Sequence, residues 1–366
     1  MRQFSILLGM ILIGVACAGM SRPMAQERVV NVYNWSDYIA PKVLEDFTKK
    51  TGIKVVYDTY DSNTTLETKL RAGQTGYDVV VPSGIFLERQ IEAGIYQKLD
   101  MSRLPHASGL WPEVMARLAV HDPGNQYAVD YMWFTTGLAF NVDKARERLG
   151  NMPLDSWDIL FNPRLLKKFA DCGVYVLDSP EDLFAIALNY LKLNPNSKRI
   201  ADLRRAGALL STMRRYVKKF QSSEYINALA NGDICLAVAR SGNAFQARER
   251  AREADNGVDI GFVVPKEGTL MSLDALAIPA DAPHVDAAYA FIDYLMRPKI
   301  AARNTDATGF ANGVLASKPF VSSEILNNQA IYPDAETMKR LFTVTIRDRM
   351  VQRYVTREWT RAKTGK

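Results

Sequence analysis

The sequence predicts an α/β protein of two lobes joined by two extended crossovers, and three observations carry that expectation. From Arg28 onward, short β-branched and aromatic runs alternate with helical patterns, the rhythm of a parallel sheet covered by helices on both faces. Residues 127–141, YAVDYMWFTTGLAFN, are extended and too long for an ordinary interior strand, with Gly137 inside them. A second extended apolar stretch, residues 257–264, ends at Pro265-Lys266-Glu267-Gly268 and reads as the return crossing. Two such crossings make a hinge, because a few residues can absorb a closure angle.

The first lobe opens on residues 28–40, RVVNVYNWSDYIA. Val29, Val30, Val32 and Tyr33 suit a strand buried on both faces, and Asn34-Trp35-Ser36-Asp37-Tyr38 then interrupts it. Pro41 suits the first turn of the following helix, and Gly52 suits a left-handed cap at its end. Residues 53–57 form a second strand, and Ser62 or Asn63 caps a helix that places Leu66 and Leu70 on one face. Residues 77–81 form a third strand, stopped by Pro82-Ser83. Ligands sit outside the carboxyl ends of strands in such sheets, so Trp35 and Ser83 can face one cleft; buried core aromatics are the alternative for Trp35 and Tyr38. In the second lobe, residues 174–177 are a strand, and Pro180-Glu181-Asp182 opens a helix with acids in its first turn, as the macrodipole favours. Residues 200–217 form a long helix, 225–230 a short one, 234–239 a strand and 242–254 another helix. Residues 271–278 and a helix over 282–296 complete the first lobe. The expected divisions are a leader over 1–25, one lobe from 26–134 and 260–318, and the other from 135–259 and 319–366.

The leader expectation rests on a basic start at Arg2 and an apolar run over residues 4–19, too short to span a bilayer comfortably and followed by small residues. Cleavage after Ala25 or after Ala18 fits it, and a lipoprotein signal ending at Cys17 is the alternative. The mature chain is then expected to be exported. It keeps two cysteines, Cys172 and Cys235, which in an oxidising compartment have one internal pairing open to them, against two unpaired buried thiols. The formal charge of +6 falls to +4 without Arg2 and Arg22, and the excess gathers around residues 198–219. With no nucleic-acid reading motif beside it, that cluster reads as a solvated helix face.

Catalytic chemistry finds little support. The three histidines, His106, His121 and His284, are not spaced with other ligands as a metal site, and no nucleophile elbow, phosphate loop or dinucleotide fingerprint follows a strand. Neither cofactor nor metal is implied. Two lobes, a hinge, a leader and strand-end loops bearing aromatics and acids describe instead a solute-binding protein whose closure buries a small ligand.

Over the mature chain, YNWSDYIAP, TGIKVVYD, KLRAG, GYDVVVPS, FLERQ, YMWFTTG, NVDK, DSWD, LDSPED, ANGDIC, PKEG and IPADA stand in matching order to the bacterial periplasmic polyamine-binding proteins, and the sequence resembles their putrescine-binding type. The resemblance implies the two-lobed type II periplasmic-binding-protein fold, a Cys172–Cys235 disulfide, a monomer, and a membrane permease of an ABC importer as partner. It further implies an amine held with its methylenes between rings and its ammonium ends on carboxylates, an arrangement that offsets the desolvation of charge. Trp35, Ser36, Tyr38 and Ser83 match the family's pocket residues, Asp274 matches an aspartate that holds an ammonium, and Asp182 stands where a glutamate is usual.

The departures bear on specificity. Arg240 and Asn243 stand where the family has a tryptophan and an aspartate, Ser272 replaces a phenylalanine, and Phe310 replaces a tyrosine. A ring wall and a carboxylate are lost and a guanidinium is gained, which predicts weakened or redirected polyamine selectivity. Arg240 can fold onto Asp182 or Asp274 as a bidentate ion pair, present its fork to an anionic or amino acid-like solute, or point to solvent. The readings from other classes are an enzyme on the same fold, which needs a free cysteine to carry a cofactor, and an iron binder, which needs clustered tyrosines or histidines.

Overall fold

In the computed structural model, which describes residues 28–365, the expected opening strand is β1, Val29–Trp35. The expected leader, residues 1–25, lies outside the described residues. A helix over Pro41–Thr51 follows and ends at Gly52, whose φ of 68° lies in the left-handed region; its N–H bonds the Thr48 carbonyl. Strand β2, Lys54–Tyr60, pairs in parallel with β1 along its whole length. Ser62 caps the next helix, Asn63–Ala72, by accepting from Thr65 N–H. Strand β3, Val79–Val80, also lies parallel to β1, and helix Gly84–Glu92 leaves it.

The crossover strand β4, Ala128–Asn141, runs through both lobes. In the second lobe β5 (Val174–Val176) lies parallel to β6 (Lys219–Phe220) and to β7 (Leu236–Arg240). Strands β8 (Ile260–Val263) and β9 (Met271–Ala277) follow, then β10 (Ala311–Asn312). The near half of β4 pairs with β9 and β10, and its far half with β7 and β8. The sheet path is therefore β2-β1-β3-β9-β4-β7-β5-β6, with β4 as the seam. Gly137 sits where β8 crosses β4, and a Cβ there would stand 2.3 Å from the Val263 carbonyl oxygen, a backbone atom that cannot step aside. Glycine is required at this point of the seam by close approach.

Alternation along the strands separates the core. Val30, Val32 and Leu276 bury into one cluster, and Tyr33, Trp133 and Ala275 into another, one on each face of the first-lobe sheet. The second lobe has its own cluster around Trp157, Phe184, Tyr225 and Trp359.

These clusters divide the chain differently from the expected boundaries at two places. Ile260 belongs to the second-lobe cluster, because β8 pairs with residues 138–141 of β4; the crossing itself lies at 264–270. Val321, Ile325, Tyr332 and Leu341 bury with Tyr33 and Trp133 in the first lobe, so residues 319–341 do not join the second. The chain then makes a third connection over residues 342–348, where Phe342 bridges Leu270 in parallel, and ends in helix Arg349–Thr364 on the second lobe. The long helix expected over 200–217 stops earlier, at Met213, and continues as a short 3-10 turn over Arg214–Tyr216. Cys172 and Cys235 are joined, with Cα atoms 5.7 Å apart. No helix of the described residues is long and apolar enough to cross a membrane.

Candidate functional site

Helix starts and strand ends converge where the lobes meet. Ser83 is the N-cap residue of helix Gly84–Glu92, Asp182 lies in the first turn of helix Pro180–Tyr190, and Arg240 ends β7 and precedes helix Ser241–Glu253. Ser179 fixes the second of these by accepting from Asp182 N–H at 3.4 Å. A cavity of about 80 Å³ opens between them, and Ser83, Asp182, Arg240 and Ser272 all line it, together with Asn63 and Phe134.

Asp274 does not line this cavity; it lies behind Ser83 on the first-lobe side. It is 3% exposed and accepts from Tyr38 Oη at 2.7 Å and Ser83 Oγ at 2.5 Å. Asn63 holds Ser83 twice, giving its amide N–H to the Ser83 hydroxyl and taking the Ser83 backbone N–H. Burial pushes the Asp274 carboxyl up from the ordinary range, opposed by those two hydrogen bonds and by the positive charge of Arg240. Asp182 is also buried, and desolvation raises it to about 6 against the pull of Arg240.

Arg240 makes neither of the ion pairs expected of it. Its Nε is buried without a hydrogen-bond partner, and its guanidinium stands 5.3 Å from the Phe134 ring centroid and 6.0 Å from that of Trp35. Tyr38 and Ser83 each hold one oxygen of Asp274 and fix its orientation while leaving lone pairs free, and ring faces attract the guanidinium where it lies. The cation therefore lies against ring faces rather than on a carboxylate.

The remaining expected residues form a ring around this centre. Trp35 is half-buried, donates from its indole to the Val81 carbonyl and packs on Tyr60. Tyr38 is buried and meets Phe310 edge-on at 4.8 Å, and Phe310 meets Phe134 at 5.5 Å. Gly242 touches the Phe310 ring so closely that a Cβ there would stand 2.4 Å from it, so Phe310 fills the junction as packing. Asn243 reaches Arg240 only through Tyr225, whose hydroxyl donates to Asn243 Oδ1 and accepts from Arg240 N–H. Ser36 is exposed and bonds the Tyr60 carbonyl, away from the cavity.

Sequence reasoning missed Phe134 and Asn63, which line the cavity, and Asp130, which lies outside it. Phe134 was indistinguishable from its neighbours in an unbroken apolar run, and Asn63 read only as a helix cap. Asp130 is 1% exposed on β4, neither of its oxygens has a hydrogen-bond partner, and burial together with the nearby Asp274 charge pushes its carboxyl far up. Its position inside YAVDYMW, an acid in a buried run, was the available signal.

The putrescine-binding periplasmic protein PotF of Escherichia coli is 49% identical over 93% of both chains. The putrescine-binding periplasmic protein SpuD of Pseudomonas aeruginosa is 48% identical over the full length of both. Among solved structures, the spermidine/putrescine substrate-binding protein PotD of Streptococcus pneumoniae superposes with a TM-score of 0.80 at 28% identity, over 92% of this chain and 99% of that one. These relatives are transport proteins, and both cysteines of the described residues are tied in the disulfide, which leaves no thiol there for a covalent cofactor. The family model for bacterial extracellular solute-binding proteins matches residues 42–330, and the chain belongs to that family.

Proposed function

We propose that this chain is the exported, periplasmic solute-binding component of a polyamine-type ABC importer, working as a monomer and handing a small amine to a membrane permease. The single observation that carries this reading is the interlobe cavity in which Ser83 and Asp182 face Arg240 over the Phe134 ring, with Asp274 held behind Ser83. Two buried carboxylates favour cations, but Arg240 already supplies one. Like charges about 4 Å apart cost several kcal/mol at an effective dielectric of about 20, so a second and a third cation compete for the same space. The site then suits a solute with one ammonium end better than a diamine. Calorimetric titration with putrescine, cadaverine, spermidine, agmatine and singly charged amines tests it: binding of an amine is expected, with diamines weak, and no heat with any amine contradicts it.

A further inference from the structure

Beside the amine cavity lies a larger one of about 780 Å³, which shares Ile85, Phe86 and Glu181 with it and is walled on the other side by residues 345–357. Arg347, on the third connection between the lobes, lines this space. It is 9% exposed, and none of its three guanidinium nitrogens has a hydrogen-bond partner. Thr345 N–H bonds Asn196 of the second lobe and Ile346 N–H bonds Glu88 of the first, so the backbone leading into Arg347 is pinned from both sides. Three acids also line the space, Glu92, Glu181 and Asp348; Glu181 has an oxygen committed to Gln352 Nε2 at 2.9 Å, and Asp348 one to Val351 N–H at 2.9 Å. Arg349 and Arg353 on the same wall have no ion-pair partner among the described residues. A buried guanidinium with no acceptor is costly, and an oxyanion offering two acceptors in a plane is the group that relieves it.

We propose that Arg347 seats the anionic group of the solute, so that the preferred ligand carries an ammonium at one end and a carboxylate or phosphate at the other. This rests on the amine reading above, since the ammonium is placed by Asp182 and Asp274. Arg240, by taking one cation's place, leaves room for one ammonium, and Arg347 supplies the complement for the opposite end.

The test is calorimetric titration of the mature protein and of Arg347→Gln with putrescine, with γ-aminobutyrate, δ-aminovalerate and ε-aminocaproate, and with inorganic phosphate alone. At least one amino acid is expected to bind about tenfold tighter than putrescine, and Arg347→Gln to lose that advantage while its putrescine affinity stays within about twofold. Circular dichroism and thermal unfolding of Arg347→Gln, and a parallel Arg347→Lys, establish that the variants fold; removal of an unpaired buried charge is expected to leave the melting temperature level or raised. Putrescine binding with no Arg347-dependent preference for amino acids overturns the anion seat and leaves the amine reading standing. Binding of phosphate alone, lost in Arg347→Gln, with no amine bound, overturns the amine reading and with it the proposed ligand class, leaving a free-anion site.

Discussion

Tyr38 Oη donates to Asp274 Oδ2 at 2.7 Å across 236 residues of sequence, and this bond fixes the carboxylate that holds Ser83 at the cavity wall. The loop after β1 and the middle of β9 are brought together because β3 lies between those strands in the sheet. A carboxylate held on two sides does not swing to meet the Arg240 guanidinium, so both charges stay where a solute can meet them.

Tyr38→Phe keeps the ring contacts to Tyr131 and Phe310 and removes the donor. A buried carboxylate left short of a hydrogen bond costs about 1–3 kcal/mol. Urea unfolding is expected to show a loss of that size, smaller when Asp274→Asn is present as well, because the two changes act on one bond.

Asp182 sets a pH dependence. Its folded value of about 6 lies above its ordinary 3.8, so the folded state binds its proton more tightly than the unfolded chain does. The stability it contributes is fully present below 3.8 and is lost as pH rises toward 6, a change of about 3 kcal/mol by linkage. Unfolding measured across that window is expected to fall more steeply with pH in the wild type than in Asp182→Asn. Amine affinity is expected to move the opposite way, tightening as Asp182 ionises, which titration at pH values on either side of 6 checks.

The Cys172–Cys235 disulfide spans 63 residues of the second lobe and ties the turn before β5 to β7. Replacing both cysteines by alanine is expected to cost roughly 2–5 kcal/mol, with the same shift produced in the wild type by reductant.

Much of the frame was legible in the sequence because it rests on local chemistry. Gly52 and Ser62 mark helix ends by backbone conformation and side-chain capping, and the length of β4 announced a crossover. The third connection was hidden because the elements before it are short, with helices of four and five residues at Ser323–Leu326 and Ala335–Lys339 that show no sustained period. The state of Arg240 was equally out of reach. It depends on Asp274 being already oriented by Tyr38 and Ser83, partners 236 and 191 residues away, and no local pattern encodes that.

The central claim is that the Arg240 guanidinium occupies the place of one ligand ammonium. Calorimetric titration of putrescine into the wild type and into Arg240→Ala tests it most directly. The account predicts weak binding by the wild type and a gain of at least tenfold in the variant, about 1.4 kcal/mol, with a further gain when tryptophan at 240 is combined with Asn243→Asp. Tight putrescine binding by the wild type, or no gain on removing the guanidinium, contradicts it.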